Sequence, residues 1–240
     1  MARQANPRFA AGVVVVPLLA LLYATEWAPK PHHMYVHVMA GVLWTGIDVF
    51  FGLVLGPVIG GLGDEQKARI FQRLTPKMAF LLPILAVTTI FGGVSLAIDN
   101  GEFPHHGAWL AVYTAANLIP ALLLIGWNFG AFRDWRWLAW QAVVTVGSLA
   151  WIALTYTGLG RIPVPIALAL VIVTILTVQG FGILMPGEVR VYREMRSADP
   201  DFATVSRVGM RNARLSGVQG VLQVCLIAVM VWIAAGSFPL

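Results

Sequence analysis

Charge is scarce in this chain. Asp, Glu, Lys and Arg make up 11% of the 240 residues, while 58% are hydrophobic and the mean hydropathy is +0.78. A soluble domain carries about 25% charged residues, so the shortage excludes one and leaves a polytopic membrane protein. Cysteine is nearly absent as well. Cys225 stands alone inside an apolar run, which excludes a disulfide framework and any cysteine-based metal site. There is no Walker loop, HExxH, GxSxG or dinucleotide fingerprint. The last apolar run has no lysine, which argues against a rhodopsin-type retinal Schiff base.

What remains is apolar sequence in lengths that suit a bilayer. About 20 residues are needed to span. Seven segments qualify, near 9–28, 34–60, 77–98, 108–131, 137–158, 164–187 and 214–236. They predict an all-α bundle of about seven transmembrane helices, forming one membrane domain over residues 1–240. Pro29 and Pro31, Gly60 to Gly63, Asn100-Gly101 and the Gly158 to Pro165 stretch punctuate it. The N-terminus is basic and then apolar like a signal peptide. Its small-residue cleavage pattern is poor, so it reads as a retained first helix.

The few charges orient the bundle. With the N-terminus in the cytoplasm, the inside segments hold 14 of the 16 basic residues, and only Lys30 and Arg161 lie outside. The positive-inside rule then predicts N-in, C-out. The pI near 9.8 becomes a topology signal with some attraction to anionic lipid, not a sign of nucleic-acid binding. The inner stretch 62–76 reads as a short amphipathic helix on the membrane surface. The inner stretch 188–213, mixing Arg with Glu188, Glu194, Asp199 and Asp201, reads as a solvated connector or a docking surface for a partner subunit. A faint repeat links FFGLVLGP at the end of segment two with GFGILMPGEVRVYREM at the end of segment six.

The stretch from His32 to Pro57 concentrates the unusual residues. In a helix turning about 100° per residue, spacings of seven and eleven return to nearly the same direction. His37, Gly41, Trp44, Asp48 and Gly52 therefore form one stripe, with Asp48 roughly 16 Å deeper than His37. A bare aspartate at mid-membrane costs about 2.5–3.5 kcal/mol, so the stripe is expected to face protein. Asp48 has no Lys, Arg or His at its depth. Its expected partners are Thr88, Thr89, Asn117, Thr145, Thr177 or Gln179, unless it is protonated. It reads either as a packing polar group or as a proton-relay or pathway residue. Gln219 and Gln223 read as a pair bonding across helices, and Gly52, Gly56 and Gly60, like Gly126 and Gly130, read as close-packing steps.

All five histidines, His32, His33, His37, His105 and His106, fall at the outer side in this topology. His33 and His37 share a helix face. Imidazoles with a few oxygens suit copper, zinc or haem iron. For haem b, His37 would be the axial ligand, Gly41 would leave flat room beside it, and Trp44 would line the ring. Lys30 and Arg161 are the only outer cations for the propionates. These histidines also read, more plainly, as solvated loop residues.

His37-Val-Met-Ala-Gly-Val-Leu-Trp44-Thr-Gly46 is an H-x6-W-x-G pattern. It resembles a group of bacterial membrane proteins that includes the copper-resistance D family, the HemJ-type protoporphyrinogen oxidases and the membrane domain of bacterial urate oxidase. The resemblance covers about 25 residues. It implies that His37 sits at a position that binds haem b or copper in a bacterial inner membrane. The expected function is a redox protein holding haem b, or else copper, at His37 with His106 or His105 as second ligand. It would transfer electrons, with a quinone or other redox partner, or oxidise a small substrate, with Asp48 in a catalytic role. Its partners would be the lipid bilayer and a further copy or partner subunit. Two alternatives stand beside it. One is a copper or small-solute transporter with Asp48 as midplane site; the other is a cofactor-free subunit anchoring a larger complex.

Overall fold

Proline, glycine and short polar caps decide where the helices of this chain begin and end. Pro7, Pro31 and Pro165 occupy the first two positions of their helices, where a missing N–H costs nothing. The Asn6 and Asp134 side chains accept from the Arg8 and Arg136 amides. Gly130, at φ 62°, closes one helix in the left-handed conformation.

The computed structural model describes residues 1–236, all helix and connections with no strand. The helices are α1 (Ala2–Ala5), α2 (Pro7–Glu26), α3 (Lys30–Val49), α4 (Gly56–Gly60), α5 (Asp64–Asp99), α6 (His106–Phe129), α7 (Trp135–Thr155), α8 (Val164–Gln179), α9 (Met185–Glu194) and α10 (Phe202–Ala235). A π-helical turn, Phe50–Leu55, joins α3 to α4, and a second, Gly180–Leu184, joins α8 to α9. Seven stretches are long and apolar enough to cross a membrane: Pro7–Glu26, Lys30–Gly60, Asp64–Asp99, His106–Phe129, Trp135–Gly158, Val164–Glu194 and Phe202–Ala235. These are the seven expected segments. Large apolar side chains such as Leu154, 83% exposed, and Val16, 66% exposed, suit lipid rather than water.

The faint repeat has a structural counterpart. Both copies form π turns just before a proline, Pro57 and Pro186. Proline cannot donate to the carbonyl four residues back and crowds it; widening the turn relieves both problems. At the second turn Asn128 Nδ2 donates to the Gly182 carbonyl at 3.2 Å. Asn128→Leu is expected to lower stability by about 1 kcal/mol, read as a drop in unfolding temperature in lipid discs.

The chain packs as two units. The first comprises Met1–Leu96 and Gly187–Gln223. Here the stretches 62–76 and 188–213 depart from expectation. No separate surface helix forms, and the solvated connector is confined to residues 195–201. The first is the opening of α5, started by Asp64 and Glu65 in its first turn, where acidic groups suit the helix dipole. The second continues into α9 and the start of α10. Ile59 of α4 joins Ala68, Phe71, Val191, Val205 and Val208 from these two stretches in an apolar core. The Ser206 hydroxyl donates to Asp64 at 2.8 Å, and the N-terminal ammonium donates to the Tyr192 hydroxyl at 2.6 Å.

Before α10, Asp201 accepts from the Thr204 hydroxyl and amide. These bonds hold its carboxyl below the usual range. The cap is therefore complete above the ordinary carboxylate pKa and is lost as pH falls through the lowered one. Protection of the Thr204 amide, measured against its intrinsic exchange rate, is expected to fall as pH drops through that lowered value.

The second unit comprises Ala97–Pro186 and the residues from Val224. Its helix α6 packs against α7, α8 and the second π turn. Trp109 Nε1 donates to the Gly160 carbonyl at 3.0 Å, and Asn117 Nδ2 to the Thr174 hydroxyl at 3.4 Å.

Candidate functional site

Two adjacent glycines on α5 make the place for His37. A Cβ on Gly93 would lie 2.6 Å from His37 Cε1, and one on Gly92 would lie 3.4 Å from His37 Cβ. The imidazole thus lies against bare backbone. There its Nδ1 is 2.8 Å from the Thr89 carbonyl oxygen. A carbonyl only accepts, so Nδ1 carries the proton and donates. That bond fixes the neutral tautomer and leaves the Nε2 lone pair for a ligand, the arrangement that orients metal-bound histidines.

Lower on α3 the stripe turns to another purpose. Asp48 is fully buried, and Gln223 Nε2 donates to its Oδ2 at 2.9 Å. The Ser216 hydroxyl and the Trp44 indole face the same carboxylate, while Oδ1 completes no hydrogen bond. No basic side chain pairs with it among the described residues. Close approach of α10 builds this environment. A Cβ on Gly52 would collide with the backbone of Gly217, and one on Gly220 would lie 2.8 Å from Val49 Cγ2.

The expectation that Asp48 is buried and bonded to neutral groups holds. Its partner is corrected: the donor is Gln223, not Thr88, Thr89, Asn117, Thr145, Thr177 or Gln179. Thr89 serves His37 through its carbonyl, and its hydroxyl donates to Leu85 O at 2.8 Å. The reading of Gln223 as a cross-helix bond is borne out by the same contact. Two further expectations are corrected. The room beside Gly41 is filled, since a Cβ there would meet Thr89 Cγ2 at 3.3 Å. Trp44 is 4% exposed and turned to Asp48, so it serves the carboxylate rather than a porphyrin wall.

The other candidates are dispersed. His33 is buried one turn before His37, and Lys30, the first residue of α3, is exposed. His32 is exposed, its ring tilted against Tyr23. In the second unit His105 and His106 are exposed at the start of α6, and Arg161 is exposed. His105 takes a positive φ of 57° with its ring against Gly160. His106 Nδ1 is 3.3 Å from the Phe103 carbonyl, with the two rings edge to face. Among the described residues no three His, Cys, Asp or Glu side chains converge as a metal-binding set.

Sequence reasoning missed several residues of this site. Gly92 and Gly93 are signalled only as a glycine pair inside an apolar span, and Thr89 is expected at Asp48 rather than at His37. Asn212 and Ser216 extend the Gln219 and Gln223 pair at helical spacing along α10, and all four are buried, a stripe legible in principle from residue 212 onward. Glu188 was assigned to a solvated connector. Instead, Asn212 Nδ2 donates to its Oε1 at 2.8 Å and Thr75 stands beside it. Comparison with protein-family models, with curated proteins and with solved structures gives no match.

Proposed function

We propose that this chain is a redox protein of the bacterial inner membrane that holds haem b, or else copper, at His37 Nε2. The observation that carries the reading is the Thr89 carbonyl on His37 Nδ1, which presents one free ring nitrogen in a fixed direction. His37 suits an imidazole ligand because Nδ1 is held by the Thr89 carbonyl and Nε2 is the nitrogen left to bind. Within the first unit, His33 would supply a second ligand and Lys30 remains a candidate propionate partner. The bound group would supply one-electron chemistry. Asp48 would take up and release the accompanying proton, transferring charge without a cation at its side. A quinone or a small reductant suits such a site as electron partner.

The absorption spectrum of purified, dithionite-reduced protein tests this. A Soret band, or one copper per chain by metal analysis, supports it. Neither haem nor metal in protein purified from its native membrane refutes it, and the anchoring-subunit reading takes over.

A second reading, transport of a metal or small solute, is favoured by the buried Asp48 with its Gln223 and Ser216 contacts. Uptake into vesicles that ceases in Asp48→Asn would support it against the first.

The orientation belongs to the same proposal. The N-terminal ammonium bound to Tyr192 supports placing the N-terminus at the same end as the basic 188–213 stretch, the cytoplasmic one by charge. In a Cys225→Ser background, cysteines at Gly101 and Ser197 are expected to label from opposite faces. Labelling from one face refutes the topology.

A further inference from the structure

We infer that the first unit contains a proton route from Glu188, at its basic end, to Asp48. This rests on the proton-carrying role proposed for Asp48, not on what His37 binds.

The route follows one face of α10. Asn212, Ser216, Gln219 and Gln223 are between 2% and 6% exposed, and their spacing puts them in a line roughly 16 Å long. A membrane helix that buries four polar side chains on one face must offer them polar partners. The two carboxylates stand at the two ends of this line. Asn212 Nδ2 donates to Glu188 Oε1 at 2.8 Å, and Gln223 Nε2 donates to Asp48 Oδ2 at 2.9 Å. No basic residue neutralises either one among the described residues.

Beside Glu188 lies a cavity of about 30 Å³, where Thr75, Asn212 and Ser216 meet the rings of Phe51 and Phe71. A cavity of that size takes about two waters, and four polar groups suffice to hold them. The Thr75 hydroxyl is 2% exposed and faces the Glu188 carboxyl from the cavity wall. Ser216 lines the cavity and also faces Asp48. Asp48 Oδ1, buried and without a completed bond, is the open acceptor at the far end. Small residues make the passage possible: a Cβ on Gly209 would strike Phe71, and a Cβ on Gly187 would lie 2.6 Å from Asn212 Oδ1.

The step conserves atoms and charge. The Glu188 carboxyl releases a proton to cavity water. That water passes a proton to the Ser216 hydroxyl, which gives its own to Asp48. Glu188 is then reprotonated from the aqueous phase at the basic end. The net change is one proton moved to Asp48, with nothing oxidised or reduced.

The test uses the full chain in lipid nanodiscs. A pH jump is followed by infrared absorption of the protonated carboxyl, with the Asp48 band assigned by its loss in Asp48→Asn. Wild type is expected to protonate Asp48 after the jump. Glu188→Gln is expected to slow this at least tenfold with the final amplitude unchanged, and Ser216→Ala to slow it as well. Thr75→Val carries the comparison should Glu188→Gln fail to fold. Unchanged rates in these variants, or an Asp48 band that never responds to pH, overturn the route. The readout needs no cofactor, so absence of a Soret band would sink the haem reading and leave this inference standing, and the reverse holds equally.

Discussion

Alanine in place of His37 is expected to abolish haem or copper binding, and alanine in place of Gly93 to weaken it by about 10- to 100-fold. The first substitution removes the ligand. The second leaves the ligand but places a methyl 2.6 Å from its Cε1. The ring must swing off the α5 backbone and give up the Thr89 carbonyl. Losing the group that orients a metal-bound histidine costs about 10- to 100-fold in affinity. Gly46→Ala is the control on the same helix, since nothing lies within 4 Å of a Cβ there. His32→Ala, at an exposed residue, controls for loss of outer imidazole in general. Cofactor per chain, by absorbance and metal analysis, reads all four. Full occupancy in His37→Ala would remove His37 from the site altogether.

Gly52→Ala is expected to destabilise the protein by about 1–3 kcal/mol, the cost of overpacking a well-filled contact. The neighbour here is the backbone of Gly217, which has no side chain to rotate away. The helices must therefore separate. Gly217→Ala should cost less, because its Cβ would lie 3.0 Å from Gly52 Cα. Gly46→Ala should be neutral or slightly stabilising, as alanine is the better helix former by about 1 kcal/mol. Unfolding temperatures in lipid discs should rank in that order. Separation at Gly52 also parts Asp48 from Gln223, one turn away, so the infrared band of Asp48 should shift in Gly52→Ala. Equal stability of Gly52→Ala and Gly46→Ala would mean that α3 and α10 do not meet there.

The seven spans were legible because bilayer length and apolar runs are properties of sequence distance alone. So was the burial of Asp48, since an unpaired carboxylate at that depth has to face protein. The partner was not legible. Asp48 and Gln223 are 175 positions apart, and their meeting depends on Gly52, Gly217 and Gly220 letting two backbones approach. The amphipathic pattern of 62–76 was read correctly as helix and incorrectly as separate, because nothing local says that a helix stops at the headgroups. Glu188 looked like one more loop charge beside Arg190 and Arg193. Only the packing of α9 against α10 brings it to Asn212.

The chain's own sequence thus determined that it is an all-helical protein with seven apolar spans, that His37, Trp44 and Asp48 share a helix face, and that a faint repeat links the ends of segments two and six. These follow from hydropathy and helical periodicity, which act over short distances. Tertiary structure alone decided what that face meets: a glycine pair that receives the His37 ring, a carbonyl that sets its tautomer, and a polar stripe on α10 that joins Asp48 to Glu188. Each is a contact between residues far apart in the chain. Backbone approach at glycine, which leaves no side chain to read, is what makes them possible.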